Sequence, residues 1–355
     1  MPTRCRYFCY GVIPCLVVLI ATPGIPASIS PFTTGSLRAL AAARGFWIGA
    51  GDIHIWPLSA DVQYRDVLAR EFNILTPGVA MKFEVVQPDV DRFTFDTGDA
   101  IVAFARAHDM RVRGHTLVWH AALPQWLTAG QFSHDRLAAI LKDHILTEVG
   151  HFRGRVSAWD VVNEGLNGDG TLRDTIWFRA LGADYIDQVF RWARRADPDV
   201  SLFYNEFGAE GMGPKSDGLY RLVRGMLERG VPIGGVGLQM HVSLNDGPRP
   251  AEVAANMRRL AALGLEIQIT EMDVRIQDTP GPLAEKLTAQ ARYYHDILRA
   301  CLAVPRCTAL LTWGISDRDS WIPGYVGHDD APLLFDAAFA SKPAYDALAR
   351  ALAGR

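Results

Sequence analysis

Two glutamates occupy similar positions in this chain, each at the end of a run rich in apolar and β-branched residues. Glu164 ends the run WDVVNE, and Glu271 ends the run EIQITE. Runs of this kind are typical of strands buried in a parallel sheet. In a closed α/β barrel the C-terminal ends of all strands open onto one face, so we expect both carboxylates to meet there. Two carboxylates on one face are the groups that glycoside hydrolysis requires.

The elements that must position these glutamates alternate regularly along the chain. Amphipathic helical stretches separate eight predicted strands, which are Phe46–Ile53, Asn73–Thr76, Arg111–Val118, Ser157–Val162, Ser201–Tyr204, Gly235–Met240, Glu266–Thr270 and Thr308–Trp313. This pattern predicts an α/β fold, a (β/α)8 TIM barrel that forms a single domain over residues 46–355. An open, doubly wound sheet is the alternative. Such sheets usually carry a GxGxxG turn after the first strand, which IGAGDIHIW does not supply.

Polar and aromatic residues are concentrated at or just after the predicted strand ends. They are Lys82, His115, Trp119, His120, Asn163, Glu164, Asn205, Glu206, Gln239, His241, Glu271, Asp273, Trp313, Asp317 and Trp321. Taken singly, a tryptophan near a strand end is more often core packing, and a glutamate is more often a surface charge. Their recurrence on one face favours a groove in which aromatic rings stack on sugars and polar groups bind hydroxyls.

Five strings carry a resemblance to a known family: GHTLVWH, WDVVNE, GLQMH, ITEMD and WGISDRDSW. In this order and at these separations they resemble family 10 glycoside hydrolases, chiefly endo-β-1,4-xylanases, from about Phe46 to the C-terminus. The resemblance implies hydrolysis of β-1,4-xylosidic bonds in xylan with retention of configuration and without a cofactor. It matches Glu164 to the acid/base and Glu271 to the nucleophile. Retention requires the two carboxyl groups to lie about 5–5.5 Å apart.

The resemblance also implies roles for the residues around the pair. It places His241 beside Glu271, where a hydrogen bond would keep the nucleophile ionised and aimed, whereas Glu164 must carry a proton when it acts. Asn163 matches the residue that binds the sugar 2-hydroxyl. The other matching residues are expected to wall the subsites around the cleaved bond, and they are Lys82, His115, Trp119, Gln239, Trp313 and Trp321.

The chain departs from the family pattern at several positions, and three of them, Gly78, Val79 and Ala122, lie in one neighbourhood. After the second strand the family usually reads TPENxMK, but this chain reads TPGVAMK, with Gly78 and Val79 in place of Glu and Asn. Ala122 stands where Gln is common. The missing Glu and Asn ordinarily bind a sugar one unit beyond the cleavage site on the non-reducing side. The departures therefore predict a remodelled glycone subsite, with weaker activity on plain xylan or a preference for other short or decorated β-glycosides. Compensation by other residues is the alternative.

The N-terminus has the layout of a secretory signal peptide. Arg4 and Arg6 precede an apolar stretch, and small and helix-breaking residues extend to Ala27. The stretch is short for a membrane span, so we predict a signal peptide over residues 1–27, a lead-in over residues 28–45, and a secreted protein, extracellular or periplasmic. An uncleaved anchor is the alternative.

Cleavage at this point would also change the cysteine content and the charge. It would leave only Cys301 and Cys307, which we expect to pair in an exported protein, with two free thiols as the alternative. Family members often carry a disulfide at the corresponding place. The mature chain would have 34 basic and 39 acidic residues, a net charge of −5, which argues against nucleic acid as a partner. We expect a monomer whose partner is a polysaccharide or oligosaccharide, with no membrane association after cleavage.

Two other classes of function remain. His115, His120 and His241, with Asp273 or Glu271, are candidate ligands for a metal, as in some barrel hydrolases. Against this, His115 and His120 are five residues apart and cannot both point inward from one regular strand. No HxH or HExxH motif occurs, so we predict no metal site. A protein that only binds carbohydrate is the second class, but it would be free to lose either glutamate, and both are present.

Overall fold

The computed structural model describes residues 35–354, which form a closed barrel of parallel strands. The strands in this part of the chain are β1 (Trp47–Ile53), β2 (Ile74–Pro77), β3 (Arg111–Val118), β4 (Ala158–Asn163), β5 (Ser201–Glu206), β6 (Gly235–Leu238), β7 (His241–Ser243), β8 (Glu266–Arg275) and β9 (Cys307–Trp313). Their order is β6-β5-β4-β3-β2-β1-β9-β8-β7, and pairing of β6 with β8 closes the ring. The predicted (β/α)8 barrel is therefore confirmed.

Helices fill the connections between the strands and surround the barrel. They are α1 (Leu37–Ala42), α2 (Ile55–Ala60), α3 (Val62–Glu71), α4 (Phe83–Val86), α5 (Asp96–Ala107), α6 (Gln125–Ala129), α7 (His134–His151), α8 (Ile176–Leu181), α9 (Tyr185–Ala196), α10 (Pro214–Glu228), α11 (Pro250–Ala261), α12 (Leu283–Leu302), α13 (Ile322–Val326) and α14 (Pro343–Leu352), with a 3-10 turn at Asp317–Asp319. Side chains of Asp61, Ser133 and Thr175 cap α3, α7 and α8 by accepting a hydrogen bond from a backbone N–H of the first turn.

Each predicted strand overlaps an observed one. The second, fourth and fifth continue one or two residues beyond their predicted ends, and the sixth and seventh differ because the backbone changes conformation between β6 and β7. The sixth was expected to reach Met240, yet β6 ends at Leu238, because Met240 has a φ of 68° that no regular strand contains. The chain resumes as β7 at His241, which pairs with Asp273. For this reason β8 continues to Arg275, five residues beyond the predicted end at Thr270.

Pairing irregularities lie on the strands that carry the predicted site. The register shifts between His115 and Val118 in β3, between Asp160 and Val162 in β4, and between Ile269 and Met272 in β8. Such bulges turn the side chains that follow them away from the regular alternation of a strand. They therefore help to aim residues at the open end of the barrel.

The described part of the predicted lead-in forms structure against the barrel. Helix α1 contacts α14, and Glu71 of α3 bonds to both of these helices. Its Oε2 accepts hydrogen bonds from the backbone N–H of Leu37 at 3.1 Å and from the hydroxyl of Tyr345 at 2.8 Å. The predicted signal peptide, residues 1–27, lies outside the described residues. Between residues 35 and 354 no helix has the length and apolarity needed to cross a bilayer.

Candidate active site

A cavity of about 510 Å³ opens at the C-terminal ends of the barrel strands. All ten residues that the sequence predicts for catalysis and substrate binding line it: Lys82, His115, Trp119, Asn163, Glu164, Gln239, His241, Glu271, Trp313 and Trp321. They come from the ends of six strands and from the loops after β2 and β9. The fold therefore brings together side chains that are separated by up to 239 positions in the chain.

Glu164 accepts hydrogen bonds on both carboxyl oxygens. Its Oε1 accepts from the amide nitrogens of Asn163 and Gln239, each at 3.1 Å. Its Oε2 accepts from the indole Nε1 of Trp119 at 3.0 Å. Oε1 accepts two hydrogen bonds and Oε2 accepts one. Oε2 therefore has a free lone pair that can hold the proton donated to a ligand.

Glu271 lies on the same amide network. The Nδ2 of Asn205 donates to Glu271 Oε1 at 2.6 Å and to the Oδ1 of Asn163 at 2.9 Å, and Thr270 Oγ1 donates to Asn205 Oδ1 at 2.8 Å. Asn163 in turn donates to Glu164. Two asparagine amides therefore bridge the two carboxylates and fix their relative position.

A second network holds Glu271 through His241. The ring of His241 lies between two carboxylates, with Nε2 at 3.2 Å from Glu271 Oε2 and Nδ1 at 2.8 Å from Asp273 Oδ2. Ionised carboxylates only accept hydrogen bonds, so both ring nitrogens carry a proton when both contacts form. Burial alone would lower the pKa of His241, but the charge and hydrogen bond of Asp273, together with those of Glu271, raise it well above its ordinary value.

The same contacts set the protonation state of Glu271. Burial pushes the pKa of its carboxyl upward. The hydrogen bond from His241 and the positive charges of His115 and His241 outweigh this effect, so the pKa lies below its ordinary value. A carboxylate that stays ionised in a buried cavity is suited to act as a nucleophile.

This linkage predicts a shift in the pH profile of an Asp273→Asn variant. Without the charge of Asp273, burial lowers the pKa of His241, and an uncharged His241 no longer holds the pKa of Glu271 down. The acid limb of kcat/KM, which reports the free enzyme, is expected to move to higher pH. Asp296→Asn is the matched control, because Asp296 contacts His295 at 2.9 Å on α12, away from the cavity. An acid limb that stays in place in Asp273→Asn would contradict this account.

Below the nucleophile a buried charge network supports His115. Its Nδ1 lies 3.0 Å from Asp160 Oδ2 and 3.9 Å from Glu271 Oε1. Asp160 also accepts from the guanidinium of Arg113, whose Nη1 donates to Gln268 at 2.7 Å. Burial would raise the pKa of Asp160, but Arg113 and His115 lower it. Asp160 is therefore a charged residue that fixes the ring of His115 in the lining of the cavity.

The backbone at Glu164 adopts an uncommon conformation. Its φ is 59°, in the left-handed region, which costs a non-glycine residue of order 1–3 kcal/mol. The Glu164 N–H donates to the carbonyl of Asn205 at 3.0 Å, and its carbonyl accepts from Arg173 Nε at 3.1 Å. These bonds hold the strained turn and direct the carboxyl into the cavity instead of along β4.

Aromatic rings form the walls of the cavity. Trp313 is buried and packs edge-on against His115, with ring centroids 5.3 Å apart. Trp321 donates its indole N–H to Asp273 at 2.8 Å and contacts the exposed ring of Tyr325, with centroids 4.9 Å apart. Lys82 Nζ lies 5.1 Å from the ring centroid of Trp119, which also lines the cavity. Flat apolar faces with polar groups at their edges fit the two surfaces of a pyranose.

Some residues at predicted strand ends do not reach the cavity. His120 lies outside it, Glu206 pairs with Lys215 at 2.8 Å, and Asp317 pairs with Lys342 at 2.8 Å. The candidate metal ligands therefore do not all converge. Throughout residues 35–354 no group of three or more His, Cys, Asp or Glu side chains is arranged to hold a metal ion.

Sequence reasoning missed five residues of the cavity lining. They are Asp52, Phe207, Arg275, Ile322 and Tyr325. A signal existed for two of them, since Asp52 is an acidic residue within the predicted first strand and Phe207 directly follows the polar end of the fifth. Arg275 was out of reach because the predicted seventh strand stopped too early, and Ile322 and Tyr325 lie on α13, a short helix with no periodic pattern.

A single α/β barrel with two carboxylates joined by amides in an aromatic cavity defines a glycoside hydrolase. Residues 36–351 match the family described as Glycosyl hydrolase family 10. Endo-1,4-beta-xylanase B of Thermotoga neapolitana is 42% identical over 313 residues, covering 88% of this chain and 90% of the relative. The chain belongs to glycosyl hydrolase family 10.

Solved structures agree in fold over nearly their whole length. The crystal structure of native xylanase 10B from Thermotoga maritima is 42% identical and superimposes with a TM-score of 0.87, covering 90% of this chain and 98% of that one. Xylanase 10B from Thermotoga petrophila RKU-1, solved in complex with xylobiose, is 40% identical with a TM-score of 0.88, covering 92% and 99%.

Proposed function

We propose that this protein is a retaining endo-β-1,4-xylanase that hydrolyses β-1,4-xylosidic bonds in xylan by double displacement. The observation that carries the proposal is the placement of Glu164 and Glu271 in one cavity, bridged by Asn163 and Asn205. Two of its relatives, from Thermotoga neapolitana and Agaricus bisporus, are named endo-1,4-beta-xylanases, which supports the substrate.

In the first step Glu271 attacks the anomeric carbon of the bound sugar. A bond forms between a Glu271 oxygen and that carbon as the glycosidic bond breaks, and the electron pair leaves with the glycosidic oxygen. Glu164 donates its proton to this oxygen, which departs as a hydroxyl. The ionised state of Glu271, maintained by His241, supplies the nucleophile.

In the second step water releases the covalent glycosyl-enzyme. Glu164 has lost its proton and now accepts one from water, whose oxygen attacks the anomeric carbon and displaces the Glu271 carboxylate. The hydrogen bonds from Trp119, Asn163 and Gln239 stabilise the negative charge that Glu164 carries at this stage. Asn163 is proposed to bind the sugar 2-hydroxyl, and Lys82, His115, Trp313 and Trp321 to wall the subsites.

Product analysis on unbranched xylan tests the function. Internal cleavage by double displacement releases oligosaccharides of several lengths from the start, and proton NMR detects the β-anomer as the first product before mutarotation. A first product in the α configuration would overturn the retaining mechanism, and release of xylose alone would overturn internal cleavage.

The second candidate function is hydrolysis of other short or decorated β-glycosides. The observation in its favour is the lack of polar side chains at Gly78, Val79 and Ala122, with Val79 exposed to solvent. If this candidate is correct, kcat/KM on another β-linked glycan exceeds kcat/KM on xylooligosaccharides of equal length. Higher values on the xylooligosaccharides would reject it.

We also propose that the protein is exported and that Cys301 and Cys307 form a disulfide. Both proposals predict properties of the mature chain. The sulfur atoms of Cys301 and Cys307 lie 2.01 Å apart, with Cα atoms at 5.3 Å. The protein recovered outside the producing cell is expected to begin near Ser28, to elute as a monomer, and to resist thiol alkylation until it is reduced. Alkylation of both cysteines without reductant would contradict the disulfide, and retention of Met1 in membranes would contradict the export segment.

A further inference from the structure

The space beside Gly78, where the family usually has a glutamate side chain, is occupied by two other residues. A Cβ at position 78 would overlap Asp52 Oδ1 and lie 2.8 Å from His54 Nε2. The φ of Gly78 is not in the left-handed region, so backbone conformation does not require glycine here. Asp52 and His54 instead fill the volume that a side chain at this position would enter.

The backbone at the end of β1 places the side chains of Asp52 and His54 beside Gly78. Its pairing with β2 shifts register between Ala50 and Ile53, and Asp52 between them has a φ of 55°. The carbonyl of Ile53 accepts a hydrogen bond from the Gly78 N–H at 3.0 Å, which holds the end of β1 against the end of β2. A left-handed non-glycine residue in a strand is costly and is typical of functional sites.

Asp52 lines the substrate cavity, and His54 contacts it from outside the lining. His54 Nε2 lies 2.9 Å from Asp52 Oδ1, and Asp52 lines the cavity together with Lys82. The side chain of Asp52 is 15% exposed, and the side chain of His54 is 40% exposed. Among the described residues no group hydrogen-bonds Asp52 Oδ2, so this oxygen is available as an acceptor. The hydrogen bond to Asp52 raises the pKa of His54, although burial and the charge of Lys82 oppose it.

We propose that Asp52, positioned by His54, binds a hydroxyl of the sugar one unit beyond the cleaved bond on the non-reducing side, and so determines specificity at this subsite. His54 donates to Asp52 Oδ1 and orients the carboxylate, and Asp52 Oδ2 accepts from a sugar hydroxyl. The inference rests on the proposed function, because the roles of Glu164 and Glu271 set the direction in which the sugar chain lies in the groove. It replaces the expectation that polar contacts simply vanish at Gly78.

A comparison of two aryl glycosides of xylose tests the proposal. An aryl β-xyloside fills one glycone subsite, and an aryl β-xylobioside with the same leaving group fills two. In Asp52→Asn and His54→Ala the ratio of kcat/KM for the xylobioside to that for the xyloside is expected to fall about tenfold, the range of one or two lost hydrogen bonds to a charged group. Asp296→Asn, which alters a His–Asp contact on the outer helix α12, is expected to keep the wild-type ratio.

Gly78→Ala provides an independent variant because it leaves both polar side chains in the sequence. Its Cβ must displace Asp52, so the ratio is expected to fall as in Asp52→Asn. A purely structural role would lower both kcat/KM values by one factor, and an unchanged ratio in Asp52→Asn and Gly78→Ala would overturn the proposal. Failure of the wild type on both glycosides would instead refute the proposed function.

Discussion

Replacement of Glu271 by alanine is expected to lower kcat by roughly 10⁴–10⁶-fold on every substrate, because no other group can form the covalent intermediate. Asn205 and His241 would remain aimed at an empty position. The loss should therefore be equal for xylan and for aryl glycosides with good leaving groups. Initial rates on both types of substrate measure it.

Glu228→Ala serves as the control for this variant. Glu228 is exposed at the end of α10, where its closest charged contact is Arg224 at 3.4 Å, far from the cavity. We expect wild-type kcat from this control. A thermal melt and a circular dichroism spectrum of Glu271→Ala check that the barrel is folded. A folded Glu271→Ala enzyme with more than a few per cent of wild-type activity would exclude Glu271 as the nucleophile.

Replacement of Glu164 by alanine is expected to produce a different pattern, a loss that depends on the leaving group. On xylan the departing oxygen needs a proton, so kcat/KM should fall by about 10²–10⁴-fold, the usual contribution of a general acid. A 2,4-dinitrophenyl xylobioside needs little protonation, so its kcat/KM should remain within about tenfold of the wild-type value. Stopped assays on the two substrates separate these outcomes.

Azide provides a direct test of the second step in Glu164→Ala. Water attacks slowly without a general base, whereas azide is already a nucleophile and needs no deprotonation. Addition of azide should raise kcat on the dinitrophenyl substrate and yield β-xylobiosyl azide, with retained configuration. An α-linked azide, or equal losses on xylan and on the activated glycoside, would show that Glu164 does not have the acid/base role.

The barrel and the location of its catalytic face followed from local sequence patterns. Buried strands of a parallel sheet are almost continuously apolar, so WDVVNE and EIQITE were recognisable without tertiary information. Once eight such runs alternate with helices, closure sends every strand end to one side. All ten predicted site residues line the cavity for this reason.

The ends of strands were less predictable because they depend on contacts with neighbours. Met240 leaves the strand conformation while β8 continues past Glu271 to pair with His241. No local pattern marks this change, because the backbone hydrogen bonds that decide it, from Glu271 to Gln239 and from Asp273 to Met240, join residues more than 30 positions apart. The raised pKa of His241 and the lowered pKa of Glu271 arise only in the folded protein, because both depend on contacts between these side chains.

Gly78 shows most clearly the difference between what the sequence determined and what the tertiary structure determined. From the sequence alone, the types of residue at Glu164, Glu271 and Asn163 determined the chemistry, since those side chains act through groups that they carry themselves. Whether the missing side chain at Gly78 leaves an empty subsite or a filled one was decided by the tertiary structure. Asp52 and His54 lie more than 20 positions away in the chain and reach that volume only because β1 and β2 are neighbours in the barrel. Occupancy of space is a property of packing between elements, and a linear sequence does not specify it.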